Sequence, residues 1–169
     1  KIASSLKGLV LDVKVGNGSF NYNNEIATNL ATSLVSVAKG AGLSCEAILT
    51  DMNQVLGWNA GHTLEVIESI EYLTNNKQNK RLEKITNELA TSILVRIKKI
   101  SKNNALEKIH DVVSNGKAAE KFEQMVAALG GPKNLLTSYQ FDLPKASYVD
   151  QILSSKKGFG KILYNTSFF

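Results

Sequence analysis

A strand pattern near the start of the chain constrains the fold more than any other feature. Residues 8–20 read GLVLDVKVGNGSF, an aliphatic run that is interrupted by two charges and ends in a glycine turn. A helix pattern capped by Asn23 or Asn24 follows, and a second strand pattern covers residues 43–50. Two strands joined by one helix through short connections form a βαβ unit, so we expect them to be parallel and adjacent.

Polar residues follow both predicted strands. The first strand carries Asp12 and Lys14 on one face and ends at a glycine turn, and the second runs into the polar loop 51–61. Parallel neighbours end at the same edge of a sheet, which is where open α/β sheets bind ligands. The two charges fit either an ion pair at the strand end or the lining of a site.

The remainder of the chain is predicted to be mostly helical. Apolar spacing predicts helices over residues 62–138, and residues 146–153 after Pro144 are typical of a strand. The fold class is therefore α/β, a parallel βαβ core with flanking helices. We expect one domain over residues 1–153 and a truncated tail over 154–169.

The first predicted helix carries its larger apolar residues at helical spacing, which predicts one buried stripe: Ile26, Leu30, Leu34 and Val37. The chain opens with a pattern that is typical of a helix end, so we expect sequence upstream of it. Missing neighbours would leave an apolar face exposed on the sheet or on the opening helix.

Composition narrows the class of function. The net charge of +5 comes from lysines that are scattered along the chain, whereas nucleic-acid binding favours a clustered basic face. No apolar run is long enough to span a membrane, and no signal peptide is seen. The single Cys45 is predicted to be a small buried hydrophobe, which indicates a reducing, cytoplasmic setting. His62 and His110 lie far apart and form no zinc-type ligand pattern.

Four motifs in order resemble one enzyme family. The motifs are LVLDVKVGNGSF, ILTDMNQVLGWNAGHTLEVIESI, NGKAAEKFEQMVAALGGP and FDLPKASYV. Over about residues 1–149 the chain closely resembles the thymidine/pyrimidine-nucleoside phosphorylases. The resemblance implies part of a nucleoside phosphorylase/phosphoribosyltransferase catalytic domain. It also implies pentosyl transfer, in which a pyrimidine nucleoside and the co-substrate phosphate give the free base and a pentose 1-phosphate.

The resemblance also assigns site residues. It implies that Phe20 lies against the pyrimidine, although the sequence by itself favours core packing for this ring. Lys1 is adjacent to the lysine that clamps the base, which would precede this chain. A potassium ion is implied at the backbone carbonyls of Leu56 and Asn59 and the carboxylate of Glu68. The alternative to this ion site is a Glu68 that faces solvent, beside a loop with no bound ion.

Other expected parts of the family site have no counterpart here. The phosphate loop, the arginine and serine of the base clamp, and most of the helical domain that forms the family's homodimer are absent from the sequence. No catalytic residue is therefore assigned, and we expect a fragment that is inactive alone. The alternatives are one half of a split phosphorylase, and a non-catalytic remnant or partner-binding module. A related phosphoribosyltransferase is disfavoured by DVKVGNGSF and TDMNQVLG.

Overall fold

The computed structural model describes residues 2–158 of the chain. After a short 3-10 turn at Ile2–Ser4, strands and helices follow in the order β1 (Leu9–Val15), α1 (Asn24–Gly40), β2 (Cys45–Asp51), α2 (His62–Leu73), α3 (Lys80–Lys98), α4 (Lys102–Ser114), α5 (Lys117–Ala128) and α6 (Leu135–Asp142). The fold is mixed α/β, as predicted.

The first three elements form the predicted βαβ unit. β1 and β2 pair in parallel, with Leu9 opposite Cys45 at one end and Val15 opposite Asp51 at the other. The Asn23 side chain caps α1 by accepting a hydrogen bond from the Ile26 N–H. The cap begins the helix directly after the turn, which keeps the crossover short.

Small residues pack α1 onto one face of the sheet. Ala27, Ala31 and Ala38 are buried against the strands, and Cys45 is a buried, free thiol, as predicted. The stripe predicted for α1 is wrong, because its larger members are exposed: Leu30, Leu34 and Val37. The alanines let the helix approach the sheet closely, which turns the larger side chains outward. These side chains form an exposed apolar face on α1, whereas the sequence predicted such a face on the sheet or on the opening helix.

Helix α3 covers the opposite face of the sheet. The Arg96 guanidinium contacts the Glu46 carboxylate at 2.6 Å, and the Ser92 hydroxyl donates to the same carboxylate at 2.5 Å. The hydrogen bond from Ser92 has the largest effect on Glu46 and lowers its pKa from the ordinary value. The hydrogen bond from Arg96 has the next largest effect and acts in the same direction. From α3 outward the helices stack in sequence, α4 on α3, α5 on α4 and α6 on α5.

The strand predicted over residues 146–153 is wrong. This segment has no regular structure, and its apolar side chains are exposed, Ile152 at 99%. A strand requires a neighbour to hydrogen-bond with, and among residues 2–158 the sheet consists of β1 and β2 alone. The predicted tail lies mostly outside the described residues. No helix within residues 2–158 has the length and apolar character to span a membrane.

Candidate functional site

Two loops meet where β1 and β2 end. The loop after β1 is held to the one after β2 by the Gly18 N–H, which donates to the Met52 carbonyl at 2.9 Å, and by the Asn17 N–H, which donates to Asn53 Oδ1 at 3.0 Å. Gly16 begins the turn at a φ of 126°, a conformation that favours glycine. The predicted meeting of two polar loops at one sheet edge is confirmed.

Asp12 and Lys14 form an ion pair on the face of β1 that they share. Their side chains lie 2.5 Å apart, and Lys14 Nζ also donates to the Thr50 hydroxyl at 3.0 Å. That hydroxyl in turn donates to the Asp12 carboxylate. This three-membered cluster links the ends of β1 and β2, so the ion-pair interpretation of the two charges is confirmed.

Phe20 lies in the loop after β1 and is 87% exposed. The core packing that the sequence by itself favoured is therefore wrong. The ring is accessible to a planar ligand, but it does not line the cavities beside α1, between α2, α3 and α4, or between α3, α4 and β2. Its role against a pyrimidine stays a prediction, and Lys1 lies outside the described residues.

Glu68 is buried on α2 and holds the loop that precedes this helix. Its side chain accepts hydrogen bonds from the backbone N–H groups of Trp58 at 2.8 Å and Asn59 at 3.1 Å. It packs so closely on Gly57 that a Cβ there would lie 2.3 Å from Glu68 Oε1. The alternative of a solvent-facing Glu68 is wrong, since the residue is 6% exposed.

These contacts bear on the implied potassium site. The Glu68 carboxylate lies directly against the loop that carries the Leu56 and Asn59 carbonyls, and Leu56 and Asn59 are both half-buried. Each carboxylate oxygen has a further lone pair beyond the N–H it accepts. Carboxylate and carbonyl oxygens are ligands that hard cations prefer, so the types of donor present suit such an ion.

Arg81, in the first turn of α3, was missed by sequence reasoning. Its guanidinium donates to the Asp51 carbonyl at 2.7 Å and to the Val55 carbonyl at 2.6 Å, and it pairs with the Asp51 carboxylate at 3.2 Å. It therefore ties α3 to the loop after β2. The one signal in the sequence is that a cation in the first turn opposes the helix dipole, which does not distinguish Arg81 from the neighbouring Lys80.

The chain is similar to curated proteins, although no protein-family model matches it. A curated thymidine phosphorylase from Colwellia psychrerythraea is 44% identical over 160 residues, or 94% of this chain. The chain is similar to this thymidine phosphorylase over most of its own length. It spans 36% of the length of that relative. The family resemblance of the four motifs is confirmed over this portion, and the match includes both strand-end loops.

Proposed function

We propose that this chain is part of the catalytic α/β domain of a pyrimidine-nucleoside phosphorylase. The observation that carries the proposal is the 44% identity to a thymidine phosphorylase across 94% of the chain. The exposed Phe20 beside two interlocked loops supports it, because an accessible ring on a fixed edge can stack on a planar base.

The reaction we propose is phosphorolysis of a pyrimidine nucleoside. A phosphate oxygen bonds to the sugar C1′ while the bond from C1′ to the base nitrogen breaks. The base leaves with the electron pair and takes up a proton, which gives the free base and a pentose 1-phosphate. Nucleoside and phosphate are the small-molecule partners of this proposal.

The described residues would act on the base side of this site. Phe20 would cover one face of the pyrimidine, and stacking would limit its tilt. The bonds from Gly18 to Met52 and from Asn17 to Asn53 would keep the loop that carries Phe20 in place. Binding of phosphate and the polar grip on the base would fall to residues outside this sequence.

A potassium ion is a further part of the proposal. The carbonyls of Leu56 and Asn59 and the Glu68 carboxylate would hold it, and its charge would stiffen the loop. Trp58 lies in this loop and is the sole tryptophan, so its fluorescence reports on the site. We expect potassium to change that fluorescence and N-methylglucamine to leave it unchanged. A wild-type signal that does not differ between the two cations would contradict the ion site.

The cellular setting and the assembly remain part of the proposal as well. The free, buried Cys45 supports a reducing, cytoplasmic environment. The family's homodimer and the lack of a nucleic-acid partner stay predictions from sequence.

Thymine release from thymidine, measured with and without phosphate, tests the proposal. We expect no release by the 169-residue chain alone. The second arm supplies the preceding portion of the Colwellia relative as a second polypeptide. Phosphate-dependent release by this mixture that is lost in Phe20→Ala would identify one half of a split enzyme. A folded mixture without activity would favour the non-catalytic remnant or module, and phosphate-dependent release by the chain alone would overturn the prediction of inactivity.

A further inference from the structure

The hydrogen-bond pattern of the sheet shows which backbone groups point outward. The Leu9 N–H donates to the Ser44 carbonyl at 2.9 Å, and the Met52 N–H donates to the Val15 carbonyl at 2.7 Å. In a parallel pair with this register, β1 uses its odd-numbered residues for the ladder and β2 its even-numbered ones. The odd-numbered residues of β2 therefore direct their N–H and C=O groups away from β1.

The outer edge of β2 is thus available over most of its length. The N–H and C=O groups of Cys45, Ala47 and Leu49 point to a side where no described residue adds a strand. At the end of the edge, the Asp51 carbonyl accepts a hydrogen bond from Arg81 at 2.7 Å. Such an edge is a template for one more strand.

The outer edge of β1 is less suited to the same role. The Lys14 carbonyl there accepts hydrogen bonds from the Ser19 hydroxyl at 2.8 Å and from the Asn21 side chain at 3.0 Å. The loop after β1 therefore covers the end of that edge. The β2 edge is the longer free one.

Two cavities flank the β2 edge, one on each face of the sheet. The first, of about 600 Å³, lies between α1 and the side chains of Cys45, Ala47 and Leu49, which face that helix. The second, of about 250 Å³, lies between α3, α4 and the side chains of Glu46 and Ile48. Side chains alternate between the two faces of a strand, so an added strand would fill both cavities.

The chain carries one segment that is suited to the edge. Residues 146–153 read ASYVDQIL, a sequence with strand character and no regular structure. Its large apolar side chains are all strongly exposed: Tyr148 at 78%, Val149 at 84%, Ile152 at 99% and Leu153 at 80%. A strand sequence without a neighbour and a sheet edge without a neighbour are therefore present in the same chain.

Charged side chains of both signs border the two cavities. Asp150 is the segment's one charged side chain. Lys39 borders the first cavity and Lys102 the second, while Glu46 and Arg96 border both and Glu88 borders the second. Each cavity therefore offers Asp150 a cation beside the carboxylates.

The segment of the same molecule is poorly placed to reach this edge. Helix α4 borders the second cavity through Lys102 and Leu106, whereas α6, which leads to the segment, packs on α5 beyond α4. Two helix spacings amount to about 16–20 Å. The link of residues 143–145 spans at most about 10 Å. A second copy has no such restriction.

We propose that residues 146–153 of a second copy add to the outer edge of β2, and that the exchange is mutual. Each copy would give its segment and receive the other's, which closes a symmetric dimer. Backbone hydrogen bonds would set the pairing, and the two cavities would receive alternate side chains.

Sedimentation velocity over a range of micromolar concentrations tests this proposal. We expect wild type to form a dimer as concentration rises. Leu49→Pro removes an outward N–H that the β1–β2 ladder does not use, and edge strands tolerate proline at such positions. We expect it to weaken the dimer at least about tenfold, while the control Leu49→Val keeps the N–H and stays close to wild type.

A second variant tests the segment without touching the core. Val149→Pro with Asp150→Pro removes one N–H from each side of the segment, so it acts in any register. We expect this variant to weaken the dimer as Leu49→Pro does and to leave the thermal unfolding of the monomer unchanged. The control Ser155→Pro, just beyond the segment, is expected to have little effect on the dimer. A wild type that stays monomeric overturns the proposal. So does a dimer that Leu49→Pro weakens but the segment variant does not, since that result indicates β2 pairing with β2.

Discussion

Glu68 fixes a loop that would otherwise have unpaired backbone groups. The loop between β2 and α2 has no regular structure, and two of its N–H groups find their acceptor in this buried carboxylate. A charge held in this way is stabilised by the hydrogen bonds it accepts, and it stabilises the loop in return. The cation site proposed above would combine this carboxylate with carbonyl oxygens of the same loop.

Glu68→Ala tests this role at the scale of one residue. Loss of the carboxylate leaves the N–H groups of Trp58 and Asn59 without their acceptor, and we expect the free energy of unfolding to fall by about 1–3 kcal/mol. Urea denaturation followed by Trp58 fluorescence provides the measurement. The control is Glu65→Ala on the same helix, where the side chain is exposed and binds the Gly61 N–H. Equal losses in the two variants would contradict the account of Glu68.

At the scale of elements, the sheet edge is organised by contacts between loops. Lys14 joins β1 to β2 through Thr50, and Arg81 joins α3 to the loop that follows β2. The loop after β1 must turn at Gly16 to meet its neighbour. The edge that would carry a ligand is thus fixed by β1, β2 and α3 together.

Gly16→Ala tests whether that turn is required. The alanine would adopt a φ of 126°, and its Cβ would lie 2.7 Å from the Asn53 side chain. We expect a loss of about 1–3 kcal/mol in stability. In a chain of this size that corresponds to a fall of about 2–4 °C in Tm per kcal/mol.

The matched control for this variant is Gly40→Ala. Gly40 is the last residue of α1, and no atom lies within 4 Å of the position that a Cβ would take. Alanine also favours helix there, so we expect an unchanged or slightly higher Tm. A Gly16→Ala protein as stable as Gly40→Ala would show that the turn does not depend on glycine.

At the scale of the whole molecule, the elements that could be predicted from the sequence are those that depend on contacts within a few residues. The β1–α1–β2 unit follows from the alternating apolar pattern, the Asn23 cap and the glycine turn, all of which act within a few residues. The face that α1 buries was not predictable in this way. Its leucines have the right spacing, but the distance between helix and sheet selects the alanines.

Contacts between distant parts of the chain account for the other differences. Residues 146–153 have strand character, yet a strand depends on a partner that the described residues do not supply. The burial of Glu68 depends on how the loop from residue 56 folds back onto α2. Arg81 lies 30 residues from Asp51, so the sequence did not show that its guanidinium would contact the Asp51 carbonyl.

Binding of the free base tests the central proposal, that this chain carries the base-side wall of a pyrimidine site. In saturation-transfer difference NMR with thymine and the 169-residue chain, we expect transfer from the protein to the base. Phe20→Ala is expected to abolish it. Phe141→Ala, which removes another ring that is 82% exposed, is expected to leave it unchanged. Transfer that persists in Phe20→Ala, or that is lost equally in both variants, would contradict the assignment of Phe20 to the base wall.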